Sequence, residues 1–141
     1  MKEENKKILS EYRMRRAWDT LVEAKILLES EHLQGAVNRI YYSVFYAVNA
    51  LLIKHGMYSA KHSGVKSLFF REFVNKGLFK DDLGDIYKKI FKYRQKGDYE
   101  DFVEFKKEEV REWLKEAEIF VKEIKKVIEG IDAGAGLNND G

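Results

Sequence analysis

Residues 94–99 read Arg-Gln-Lys-Gly-Asp-Tyr, and three of the six could do chemistry on a phosphate. A guanidinium such as Arg94 can grip a phosphoryl group with two parallel N–H donors. Asp98 stands four residues on, within helical reach of Arg94, and Tyr99 follows with a phenol. Arg94 also falls on a helical stripe with Leu83, Ile86, Tyr87 and Ile90, where an apolar residue is expected. An unpaired charge at such a place is costly. The spacing therefore predicts one of two things: an Arg94–Asp98 pair that fastens the turn to the next helix, or an arginine poised for an anion.

A second set lies upstream. Arg39, Tyr42, Tyr46 and Asn49 share one helical face, with Tyr41 beside them. Such a face can stack on and hydrogen-bond a nucleotide or base. It can equally be core or a subunit contact. A third stretch, Lys61-His62-Ser63-Gly64, joins a loop to a helix start, where free N–H groups attract anions. His62 is there either a surface residue or an acid–base group. Metal chemistry finds little support: the chain has no cysteine and three scattered histidines, His32, His55 and His62. One Glu-x-x-His match, Glu29 to His32, straddles a turn rather than lining a helix face. Glycine-rich phosphate loops and nucleophile elbows are absent. No metal and no cofactor are expected.

Helices must position these groups. Apolar residues recur at three- and four-residue steps in five segments. The first runs from about Ser10 to Glu29 and carries Ala17, Leu21, Ala24 and Leu28; a break follows at Ser30 and Leu33-Gln34-Gly35. The second runs from about Ala36 to His55 with two apolar or aromatic stripes, so it is buried on more than one side, and Gly56 ends it. The third runs from about His62 to Asn75 and closes at Gly77. Asp81 or Asp82 caps the fourth, which stops near Gly97. The fifth carries Val110, Trp113, Ala117, Phe120, Val121, Ile124 and Ile128 and ends at Gly130. Proline is absent, so nothing interrupts long helices. The expected fold is all-α: an up-down four-helix bundle with an additional short helix, spanning residues 1–130, followed by a flexible tail over 131–141.

With 141 residues, 45% hydrophobic and 35% charged, the chain can bury one core and cover it. Without cysteine it has no disulfides. No apolar run approaches the roughly 18 residues of a membrane span, and no signal core follows the charged N-terminus, so a cytoplasmic location is expected. Residues 61–96 hold ten Lys or Arg against four Asp or Glu, and residues 97–130 hold seven against eleven. The basic stretch is either a nucleic-acid-facing surface or half of an internal charge pairing.

Three runs taken in order resemble the UPF0332 branch of HEPN domains: Ala36 to Leu52 (AVNRIYYSVFYAVNALL), Lys61 to Val65 (KHSGV) and Arg94 to Tyr99 (RQKGDY). The resemblance covers about residues 10 to 130. It implies a bundle of four long helices and a short one, usually dimeric. Active HEPN ribonucleases carry an Arg-x(4–6)-His motif that meets its copy at the dimer cleft, where the arginine stabilises phosphate charge and the histidine activates or positions a 2′-hydroxyl. Members are often encoded beside a small nucleotidyltransferase, forming toxin–antitoxin pairs, and others are proposed to bind nucleotides without cutting. Here the arginine is Arg94, but Tyr99, Glu100 and Asp101 occupy the histidine's positions. A free tyrosine, with a pKa near 10, is a poor general base at pH 7.

The resemblance thus implies a nucleotide- or RNA-binding module that partners a nucleotidyltransferase, with Arg94 and Tyr99 at the centre and Arg39, Tyr42, Asn49, Lys61, His62 and Asp98 around the ligand. The alternatives are a metal-independent ribonuclease toxin with a variant Arg-x4-Tyr motif, in which Tyr99 positions the nucleophile, His62 enters the cleft from another helix or Asp98 serves as base, and a non-catalytic structural adaptor.

Overall fold

A computed structural model describes residues 2–79 and 81–133. The five segments form α1 (Glu3–Glu29), α2 (Leu33–Lys54), α3 (His62–Phe69), α4 (Asp81–Tyr99) and α5 (Lys107–Ala133). No strand occurs among the described residues. The all-α architecture of four long helices and one short one is as expected.

α2 is the centre. It packs against α1, α3, α4 and α5. Twelve of its residues are buried, among them Val37, Ile40, Tyr41, Val44, Val48, Leu51 and Leu52. Its small residues Ala36, Ala47 and Ala50 are fully covered and let neighbours approach closely. α1 reverses into α2 over three residues. Glu31 takes a left-handed φ of 62°, and the His32 N–H reaches the Leu27 carbonyl at 2.8 Å.

Several ends differ from the sequence reading. α1 begins at Glu3 rather than Ser10, because Glu3 and Glu4 suit a helix N-terminus and nothing upstream breaks the turn. α2 begins at Leu33, so Gly35 lies in its first turn instead of in a break. α5 passes through Gly130 to Ala133, since Gly in a helix costs only about 1 kcal/mol. The remainder of the expected tail, residues 134–141, lies outside the described residues. Gly56 and Gly77 do close their helices, with φ of 74° and 76°. In each case the following N–H, Met57 or Leu78, bonds back five residues to Leu52 or Phe73.

α3 passes into a π turn over Phe70–Val74. Buried Val65, Phe69 and Phe73 recur every four residues, a step that drifts about 40° around an α-helix at 3.6 residues per turn. The wider turn takes up that drift and keeps all three facing the core. Phe69 packs on Tyr87 at 5.5 Å and Phe120 at 5.8 Å, joining α3 to α4 and α5. Truncating a ring so placed costs about 3–5 kcal/mol.

Candidate functional site

α4 presents Leu83, Ile86, Tyr87, Ile90 and Arg94 inward. Arg94 is 9% exposed, a charge on an otherwise apolar stripe. Its compensation comes from rings and one carboxylate. The guanidinium carbon lies 5.0 Å from the Tyr41 ring centre, 5.5 Å from Tyr42 and 5.6 Å from Tyr99. Nη2 donates to the Tyr42 hydroxyl at 3.4 Å. Nε lies 2.8 Å from Asp98 Oδ2, but its N–H is not aligned on the oxygen, so the contact is an ion pair without a good hydrogen bond.

The carboxylate is held from α2. Asn38 Nδ2 donates to Asp98 Oδ2 at 3.1 Å, and Asn38 Oδ1 accepts from Arg39 Nε and Nη2 at 3.1 and 2.7 Å. Arg39 lies over Tyr42 at 5.0 Å and meets Glu23 of α1 at 3.5 Å. A polar chain thus runs from α1 across α2 to the last turn of α4. Gly97 lets that turn close: a Cβ there would meet Phe105 at 3.0 Å, and the Gly97 carbonyl accepts a hydrogen bond from the Gln34 side chain. Beyond it stand Tyr99, 71% exposed, and Phe102, fully exposed at a left-handed φ of 60°.

α3 delivers His62 to the same cluster. Its Nδ1 is 2.7 Å from the buried Tyr41 hydroxyl. Its ring stacks on Phe45 at 4.2 Å and 9° and meets the Tyr42 ring edge-on at 5.6 Å. Burial and then the Arg94 charge push the His62 pKa below its ordinary value, so the imidazole is neutral at pH 7. Burial raises the Tyr41 hydroxyl well above the usual tyrosine range, so it stays protonated. The pair can hold or pass a proton in either tautomer.

Arg94, Asp98, Tyr99, Tyr42, Arg39 and His62 are therefore brought together. Asn49 and Lys61 are not. Asn49 donates to the Phe45 carbonyl and lines a cavity with Lys6, Arg13 and Met57, toward the opposite end of α2. Lys61 is exposed at the α3 N-cap, with its backbone N–H on Ser59 Oγ. Tyr46 turns to Arg16 instead, which lies 5.1 Å over its ring. Sequence reasoning passed over Asn38 and Phe45. With Tyr41 and Tyr42 they recur at three, four and seven residues, the face that α2 turns to the last turn of α4 and to His62.

The basic stretch divides. Lys89 pairs with Glu116 of α5, and Arg71 and Lys76 pair with Glu72. Lys66 and Lys88 instead lie over the Phe91 and Phe70 rings at 4.5 and 5.0 Å. With Ser63 and Asn75 they line an open groove of about 460 Å³. Phe91 touches Tyr41 edge-on at 5.8 Å, so groove and cluster adjoin. Among the described residues no group of three or more His, Asp or Glu could hold a metal ion. No described helix is long and apolar enough to cross a membrane.

The sequence matches those of known proteins. A UPF0332 protein of Thermotoga maritima is 48% identical over 128 residues, covering 91% of this chain and 96% of its own. Methanocaldococcus jannaschii has two relatives named "Putative toxin". One is 35% identical, covering 85% of this chain and 87% of its own; the other is 37% identical, covering 82% and 85%. The HEPN domain family model matches residues 10–127, from the first buried turn of α1 to the last of α5, and the chain belongs to the HEPN domain family.

Proposed function

We propose that this chain is a phosphate-recognising HEPN module that binds a nucleotide or RNA and works with a nucleotidyltransferase partner. The observation that carries this is a cation enclosed by aromatic rings at the end of α4, beside exposed Tyr99 and Phe102. Exposed rings offer stacking for unpaired bases, and guanidinium groups offer phosphate contacts. The neighbouring lysine–aromatic groove extends the same chemistry along α3 and α4. Arg94 is occupied by Asp98, so an incoming phosphate competes with that carboxylate for the guanidinium. Anisotropy titrations with fluorescent ATP and a short single-stranded RNA test the reading. Wild type binds, and Arg94→Ala weakens binding at least roughly tenfold, the loss of a charged hydrogen-bonding partner. Equal binding by both proteins, or none by wild type, rules it out.

A second reading, a ribonuclease toxin, draws on His62 and on the relatives' names. His62 supplies a neutral imidazole beside Arg94 although the motif position holds Tyr99. In this reading Arg94 stabilises phosphate charge while His62 accepts the 2′-hydroxyl proton. Cleavage of single-stranded RNA in EDTA, lost in both Arg94→Ala and His62→Gln, is the expected result. Intact RNA after long incubation excludes this reading and leaves the binding module standing.

A further inference from the structure

One cavity has no part in the Arg94 cluster. It lies between the first turns of α1 and the end of α2, and its volume is about 340 Å³. Leu9, Ile53 and Met57 give it an apolar lining, and Tyr58, 77% exposed, stands at its rim. Lys6 and Arg13 bring positive charge, and no carboxylate lines it. Lys6, Leu9 and Arg13 follow at three- and four-residue steps, so one face of α1 supplies all three. Gly56 keeps the space open. Its φ of 74° turns the chain out of α2, and a Cβ there would stand 3.2 Å from Lys6 Nζ.

Arg13 is the anomaly. Arg16 reaches the Tyr46 hydroxyl, Arg39 meets Glu23 and Arg94 meets Asp98. Arg13 has no ion pair among the described residues, and its Nε is sealed from solvent without a hydrogen-bond acceptor. Its guanidinium carbon lies 6.0 Å from the Tyr12 ring. A buried donor left unpaired is costly, so the site lacks an acceptor. Lys6 is largely covered, with its side chain 21% exposed, and it pairs with Glu3 at 3.0 Å. Those two charges offset each other, which leaves the single positive charge of Arg13. Asn49 spends one amide N–H on the Phe45 carbonyl and keeps a second for a ligand.

We propose that this cavity binds a small amphipathic carboxylate, with its carboxyl group on Arg13 and the Asn49 amide and its apolar body against Leu9, Ile53 and Met57. Charge and size both select that class. One uncompensated guanidinium matches a monoanion, and its fork matches a carboxylate. At roughly 30 Å³ per non-hydrogen atom, a water's share of the liquid, the cavity holds about eleven such atoms. A carboxyl group with about seven carbons behind it fits. A mononucleotide, with roughly twice that many atoms and a more highly charged phosphate, does not. The flexible thioether of Met57 can adapt to the body. The proposal goes beyond the phosphate reading and stands without it.

Titrating octanoate, hexanoate and 1-octanol separately into the 15N-labelled full chain tests this. Octanoate should shift amides at residues 6–13 and 49–58 and saturate with a Kd of about 0.1–1 mM, the range for a ligand of so few atoms. 1-Octanol, with a similar body and no charge, should bind at least roughly tenfold more weakly. Hexanoate, two methylenes shorter, should also lose roughly tenfold. Arg13→Gln should weaken octanoate at least roughly tenfold and leave 1-octanol within about twofold, a contrast that a damaged cavity would not produce. Arg13 has no partner to lose, so the variant's thermal melt should not fall below wild type. No saturable octanoate shift up to about 10 mM overturns the proposal. So do shifts gathered at residues 94–102, 1-octanol binding as tightly as octanoate, or an Arg13→Gln variant that binds octanoate like wild type.

Discussion

Replacing Asp98 with asparagine separates the structural and the ligand-binding roles of Arg94. The Arg94 Nε to Asp98 Oδ2 distance is 2.8 Å, and the side chains are 10% and 22% exposed. Exposed pairs contribute about 0.2–1 kcal/mol, and breaking a buried one costs about 3–5 kcal/mol. This pair lies between. Arg94 would keep three ring faces and the Tyr42 hydroxyl, which offsets part of the loss. We expect Asp98→Asn to cost about 1.5–2.5 kcal/mol in urea unfolding, a fall in Tm of roughly 5–8 °C for a domain of this size. The same change removes the anion that competes for the guanidinium. Affinity for a short RNA or ATP should therefore rise roughly three- to tenfold even as stability drops. That opposition of signs is diagnostic. Stability unchanged within about 0.5 kcal/mol refutes the account of the ion pair. Affinity that falls or stays level refutes Arg94 as the phosphate ligand.

Three further outcomes follow from the same geometry. Tyr41→Phe removes the hydroxyl 2.7 Å from His62 and should cost about 1 kcal/mol, measured by urea unfolding, while leaving the ring stack intact. Because burial and Arg94 depress the His62 pKa, the unfolded chain takes up that proton first; stability is full above about pH 6.5 and is lost as pH falls through the folded value. Stability curves of His62→Gln should be flatter than wild type between neutral and mildly acidic pH, and identical curves would remove His62 from the cluster's electrostatics. Gly97→Ala should lose about 1 kcal/mol despite alanine's better helix propensity, because the new Cβ meets Phe105 Cε2 and Cζ at 3.0 and 3.2 Å while that ring is hemmed by Trp113 and Tyr93; calorimetry showing stabilisation would contradict it.

The helices were legible because each long one repeats apolar residues on a helical period, α5 most clearly through Val110, Trp113, Ala117, Phe120, Val121, Ile124 and Ile128. Their ends were less so. Gly35 and Gly130 read as breaks, yet a helix with tertiary support tolerates a glycine, and the actual reversal uses left-handed Glu31. The π turn leaves no mark in residue type. In the site, the Arg94–Asp98 pair was anticipated from four-residue spacing. The facing of α2 was not. That helix is apolar or aromatic nearly all round, so periodicity gives no single inward direction. Spacing alone picks out the stripe Arg39–Tyr42–Tyr46–Asn49, whereas α4 meets Asn38, Tyr41 and Tyr42, and His62 of α3 stacks on Phe45. Only the packing of α3 places His62, 21 residues from Tyr41 in the chain, against that face.

The proposed phosphate site is the Arg94 cluster. Titrating ATP, and separately a short single-stranded RNA, into uniformly 15N-labelled protein of this 16.6 kDa size tests it without altering a residue. Amide shifts concentrated at residues 38–45, at His62 and its neighbours, and at 94–102, saturating with ligand, are expected. Shifts gathered elsewhere, such as along the outer face of α1 or the cavity beside Asn49, or no shifts at all, would contradict it.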